Sequence, residues 1–119
     1  YSSLSKFKNI AGPTIHKFCK PCFMALPFTI TSEKFSAYDA IKFLEERGVE
    51  SRPLIAGNLY KHPVQKIIPL EKAVQNLSGA DYHHNKSLYV GLSPKHKIED
   101  IERLIRILQE LDNSISAST

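Results

Sequence analysis

Ser36-Ala37-Tyr38-Asp39-Ala40-Ile41-Lys42-Phe43-Leu44-Glu45-Glu46-Arg47-Gly48-Val49-Glu50-Ser51-Arg52-Pro53-Leu54-Ile55 decides the fold class, because a helix with both ends signalled runs directly into a strand. Ser36 followed three residues later by Asp39 is a variant of the capping box, in which a hydroxyl and a carboxylate satisfy first-turn N–H groups. Ala40, Ile41, Phe43 and Leu44 then recur at mostly helical spacing. Gly48 supplies a left-handed C-cap, with Arg47 near the negative end of the helix dipole. These signals predict a helix over residues 37–47 and a strand over 49–55. Past the strand the chain changes character, and Ala56-Gly57-Asn58-Leu59-Tyr60-Lys61-His62-Pro63 is a loop dense in polar groups. Gly57 permits close backbone approach, Asn58 can donate and accept, and Arg52 is a permanent planar cation suited to carboxylate or phosphate. Arg52, Asn58, Lys61 and His62 are therefore the candidate substrate-binding residues. For Arg52 the competing reading is a pair with Glu50 or with a helix C-terminus.

Upstream, Phe23 to Thr31 is a continuous apolar run rich in strand formers, and Pro27 confines it to an edge, a bulge or an irregular entry. Residues 1–20 hold few apolar positions in register and read as a mobile arm, a short helix or linker followed by loop. Downstream, Pro63 can open a short helix through Lys66. Leu70, Ala73, Val74 and Leu77 fit a helical face that Ser78-Gly79 breaks. Leu88 to Leu92 is a third strand, ending at Ser93-Pro94. Ile98, Ile101, Leu104, Ile105, Leu108 and Leu111 then step by three and four, with Glu99/Arg103 and Glu102/Arg106 as i,i+4 pairs on the polar side. The small polar residues 113–119 read as a fraying tail. The order predicts an α+β domain, a three- to four-stranded, mainly antiparallel sheet with helices on one face.

The bulk properties bound the function. A chain of 119 residues fits one domain and buries roughly two-thirds of its unfolded surface. With 42% hydrophobic and 24% charged residues, and no apolar run near the roughly 20 needed to cross a bilayer, it reads as a globular protein with no membrane partner. The net charge of +4 is spread along the chain with no basic block interleaved with aromatics, which argues against a nucleic-acid partner. Nothing near Tyr1 has the order of a signal peptide, so the start reads as a cut inside a longer, cytoplasmic protein. Cys19-Lys20-Pro21-Cys22, with His16 three residues earlier, lacks a second knuckle for zinc and a strand-to-helix setting for redox work. The two cysteines read as reduced thiols, with no metal predicted. His83-His84 reads as one exposed and one packed histidine, since adjacent side chains do not converge on one point. No glycine-rich phosphate loop, Ser/His/Asp set or HExxH pattern occurs, so no catalytic residue is assigned.

Several blocks carry a resemblance. Pro21-Cys22-Phe23-Met24-Ala25-Leu26-Pro27 is similar to a Pro-Ser-Trp-Phe-Gly-Phe-Pro segment, and Leu44-Glu45-Glu46-Arg47-Gly48-Val49 to Leu-Glu-x-x-Gly-Ile. Ser51-Arg52 falls where Thr-Arg is usual, Ala56-Gly57-Asn58-Leu59 matches Ala-Gly-Asn-Leu, and Ala80-Asp81-Tyr82 and Gly91-Leu92-Ser93-Pro94 resemble Ala-Asp-Tyr and Gly-Leu-His-Pro. In order and separation, residues 20–112 resemble the C-terminal small domain of the fold-type-I pyridoxal-phosphate sugar aminotransferases, the DegT/DnrJ/EryC1/StrS family. The match to Ala-Gly-Asn-Leu is closest to its keto-sugar dehydratase branch and related aminotransferases.

That resemblance implies a division of labour. Residues 1–20 would link to a large domain holding pyridoxal phosphate, and 21–112 would close over a nucleotide-linked keto-sugar and an amino donor, in a homodimer serving polysaccharide or lipopolysaccharide synthesis. The chain by itself would then be inactive and carry no cofactor. The alternatives are the dehydratase chemistry of the same family and a stand-alone interaction domain. Three departures limit the transfer. Tyr60 and Ser93 stand where the family often has histidine, and Lys97 where an N-capping Ser or Thr is common, which weakens that helix start by about 1 kcal/mol.

Overall fold

The computed structural model describes residues 2–68 and 76–118. Four strands, β1 (Ile10–Ala11), β2 (Ala25–Ile30), β3 (Ser51–Pro53) and β4 (Ser87–Gly91), form one antiparallel sheet in the order β1-β2-β4-β3. Among the described residues three α-helices accompany it, α1 (Ala37–Glu45), α2 (Ser78–Lys86) and α3 (Ile98–Ala117). The α+β expectation is met, with four strands.

Register explains the core. Leu26 lies opposite Val90, Phe28 opposite Leu88 and Ile30 opposite Ile10, so alternate residues put these six apolar side chains on one face. Ala37, Ala40 and Leu44 of α1 and Ile107, Leu108, Leu111 and Ile115 of α3 cover that face. Phe28, Ile30, Leu44, Leu88, Leu108 and Leu111 are fully buried there. Pro27 is tolerated because β1 covers β2 only at Thr29 and Ile30, which leaves β2 an edge at the proline.

The ends of α1 are built as its sequence signals require. The Ser36 Oγ accepts from the Asp39 N–H (3.2 Å), and the Asp39 carboxylate accepts from the Ser36 N–H (2.8 Å). The Ser36 hydroxyl also donates to the Asp39 carboxylate (2.6 Å), and that bond first, then the one from the Ser36 N–H, holds the Asp39 carboxyl below the ordinary carboxylate range. At the other end Gly48 takes φ +70°. Its N–H reaches the Glu45 carbonyl (2.9 Å) and the Val49 N–H the Leu44 carbonyl (2.9 Å), which is the Schellman pattern. Arg47 stacks on the Phe43 ring and donates to the Phe43 carbonyl (3.1 Å).

Three expectations are corrected. The chain start is not a loose arm along its whole length. Leu4 and Ile10 are buried, and β1 pairs with β2, because the apolar residues of this segment extend the same core face; the exposed stretch is 13–22. The tail does not fray after residue 112, since Ile115 continues the step of four from Leu111 and is buried, carrying α3 to Ala117. Ser78-Gly79, read as a helix breaker, stands at the start of α2. The face assigned to Leu70, Ala73 and Val74 lies outside the described residues.

Asp112 ties these ends together. Its carboxylate is buried and accepts from the backbone N–H groups of Lys8 (3.1 Å) and Asn9 (2.7 Å). Asp112→Ala strands two part-buried donors, so equilibrium denaturation should show a loss of about 2 kcal/mol, with faster amide exchange at Ile10 and Ala11. Lys97 occupies the N-cap of α3 in extended conformation and gives no side-chain cap, while its N–H donates to the Asp100 carboxylate (2.9 Å). Lys97→Ser completes that capping box and should raise stability by about 1 kcal/mol, read as a melting shift of roughly 4 °C.

Candidate functional site

The loop that follows β3 is folded against α2. Asn58 begins a short 3₁₀ turn over Leu59–Lys61, its Oδ1 accepting from the Tyr60 N–H (2.9 Å). Its Nδ2 donates to Asp81 Oδ1 (2.6 Å), and its backbone N–H donates to His84 Nδ1 (3.3 Å). Lys61 Nζ lies 2.9 Å from the same Asp81 oxygen. The bond from Asn58, and after it the one from Lys61, holds the Asp81 carboxyl below the ordinary carboxylate range. His62 Nε2 donates to the Ala56 carbonyl (2.5 Å), and its ring meets that of His84 edge-on with centroids 5.7 Å apart.

Asn58, Lys61 and His62 are thus brought together, but largely for the loop's own architecture. Asn58 is buried, with both ends of its amide engaged. Arg52 lies on β3, opposite Tyr89, and donates to Glu50 Oε1 at 2.5 Å. Its side chain is 57% exposed and that of Glu50 75%, so the pair contributes little to stability and opens readily to a competing anion.

Two clefts flank Arg52. The smaller, of about 290 Å³, is lined by Tyr38, Arg52, Ala56, His62, His84 and Tyr89. It gathers Arg52 and His62 with two tyrosines and a second histidine, a set able to hold an anion beside a planar or hydroxyl-rich group. The larger, of about 560 Å³, runs between β3, the end of β4 and the start of α3. Among its charged groups Arg103 is bound to the Arg47 carbonyl (2.6 Å) and Asp100 to the Lys97 N–H, while Arg52 and Glu50 hold each other in the exposed pair already described.

Residue-by-residue reading missed Asp81 as the hub of the loop, Tyr38 and Tyr89 as cleft walls, and His84 as a partner of Asn58. Asp81 was visible only as part of a motif block, and nothing local in the sequence pairs it with a residue 23 positions earlier. Cys19 and Cys22 are free thiols on the surface. Among the described residues no three His, Cys, Asp or Glu side chains gather as a metal site.

No protein-family model matches the chain, and no curated protein matches it.

Gly57 shows how tightly the loop is fitted. It has φ +62°, and a Cβ there would lie 2.5 Å from His84 Nδ1 and 3.0 Å from the His84 backbone. Gly57→Ala should therefore cost more than about 1 kcal/mol in denaturation. Gly79→Ala, in α2 with nothing within 4 Å of an added Cβ, should be neutral or stabilising.

Proposed function

We propose that the chain is the substrate-closing C-terminal domain of a pyridoxal-phosphate nucleotide-sugar aminotransferase of polysaccharide or lipopolysaccharide biosynthesis, acting in the cytoplasm as a homodimer. The observation that carries this reading is the 2.6 Å bond from Asn58 to Asp81. It joins the Ala-Gly-Asn-Leu block to the Ala-Asp-Tyr block, two segments on which the family resemblance rests separately. Their contact gives the shared spacing a physical reason, since each block needs the other to form the loop. The antiparallel sheet backed by α1 and α3 supports the same reading at the level of fold class. Among the described residues no helix is long and apolar enough to cross a membrane.

Pyridoxal phosphate needs a lysine for covalent attachment and a phosphate cup. Among the described residues neither cleft is lined by a lysine, and Lys61 is engaged with Asp81. The residues present do not fit the cofactor, so no step through it is assigned to them. Their part is to bind and orient. Arg52 exchanges Glu50 for an anionic group of the nucleotide-sugar, Tyr38 and Tyr89 flank the bound ligand, and the Asn58 loop forms the wall that excludes water as the domain closes. The Ala56-Gly57-Asn58-Leu59 match favours, as a second reading, the keto-sugar dehydratase chemistry of the same family, in which a histidine replaces the cofactor lysine of the large domain.

The test is made on the product of the whole reading frame, incubated with pyridoxal phosphate, an amino donor and nucleotide-linked keto-sugars. Amino transfer to the sugar is expected, and loss of a sugar hydroxyl instead selects the dehydratase reading. Arg52→Ala should raise KM for the nucleotide-sugar by about tenfold or more with a smaller change in kcat. A reading frame without any cofactor-binding domain would overturn the proposal and leave a stand-alone interaction domain.

A further inference from the structure

Two imidazoles grip the backbone of Ala56-Gly57-Asn58 with opposite chemistry. A carbonyl only accepts, so His62 Nε2 carries the proton that it gives to the Ala56 oxygen. A backbone N–H only donates, so His84 Nδ1 is bare where Asn58 points at it, and the neutral His84 ring carries its proton on Nε2. The two grips respond differently to acid. An imidazolium still donates, so the His62 bond survives protonation. His84 loses its only means of accepting, and the Asn58 N–H then faces another N–H.

We propose that His84 is a proton-operated latch, which holds the Ala56–Asn58 loop against α2 when neutral and releases it when protonated. The ring packs closely on the loop backbone, since His84 Nδ1 sits 2.5 Å from where a Cβ on Gly57 would be. The surrounding charges define a competing partner. Asp81 of α2 attracts a charged His84, and Lys61 and His62 of the loop and Arg52 of β3 oppose it, while Tyr38 of α1 and Tyr89 of β4 close the cleft around it. His83 is turned away onto Ser87 Oγ (2.8 Å) and does not compete. A charged His84 draws on the same Asp81 carboxylate that anchors Asn58 and Lys61, so protonation weakens the loop at two points.

Opening is thus coupled to uptake of one proton, and it grows as pH falls. The consequence reaches Arg52, because the released loop is one wall of the cleft that Arg52 lines.

Hydrogen exchange at the Asn58 amide, corrected for intrinsic rates, reads the latch directly. About a tenfold rise in opening is expected between pH 7.5 and pH 5.5, with the sheet amides of Phe28 and Leu88 unchanged. In His84→Asn the carboxamide oxygen takes the place of Nδ1 as an acceptor that does not titrate, and the pH dependence should vanish. In His62→Gln it should persist. A flat profile in the unmodified protein, or an undiminished rise in His84→Asn, overturns the proposal. Imidazole ¹⁵N shifts of the unmodified protein give an independent check: at pH 7.5 His84 should be protonated on Nε2, and a proton on Nδ1 would refute the latch.

Discussion

The pairing of Phe28 with Leu88 in the β2/β4 ladder is the contact from which the rest of the architecture is set. Side chains alternate with a period of two, so this register decides that Leu26, Ile30 and Val90 share the face with Phe28 and Leu88, while Thr29, Ser87 and Tyr89 lie on the other. A slip of one residue would turn the buried set outward and bring Thr29 and Ser87 under α1 and α3. The actual register instead lets Thr29 and Ser87 bond each other across the strands (2.8 Å), and Ser87 also meets His83 (2.8 Å). The other edge of β4 pairs with β3, which places Arg52 opposite Tyr89. Core packing and the placement of the candidate ligand-binding cation therefore have one cause.

Around that centre, charged side chains from distant segments complete the backbone hydrogen bonding of local elements. Asp112 serves Lys8 and Asn9, and Arg103 serves the Arg47 carbonyl at the end of α1. Lys86 donates to three carbonyls, those of Ser32 (2.7 Å), Glu33 (3.0 Å) and Phe35 (2.8 Å), in the turn that leads into α1. Each bond satisfies groups that a chain reversal leaves without a ladder partner. Such groups are costly to leave unmade, which makes these residues structural despite their charge.

This division separates what the sequence discloses from what it hides. Ser36, Asp39 and Gly48 act on neighbours a few residues away, so the bounds of α1 were legible, as were β2, β4 and most of α3. The docking of residues 4–11 and the helical end of α3 depend on one another through a bond across more than 100 positions, and neither looks ordered when read alone. Within the loop, Asn58 drew notice for its chemistry, yet the partner that gives it meaning, Asp81, lies in a different element. Arg52 was open to two readings, and the pair with Glu50 is the one realised in the protein by itself.

The contrast between Arg52 and Asn58 bears on which residues can meet a ligand. A polar group contributes to recognition only with hydrogen-bonding capacity that is free or cheaply released. Asn58 has spent its amide on the Tyr60 N–H and on Asp81 inside a buried loop, and freeing it would cost the loop itself. Arg52 has five donors, is more than half exposed and spends one nitrogen on a still more exposed glutamate. Exchange of one carboxylate for another anion at Arg52 is therefore nearly neutral in the free protein, and binding energy gained there is not consumed in unfolding anything. The buried asparagine shapes the cleft, and the exposed arginine is the group that a ligand can engage.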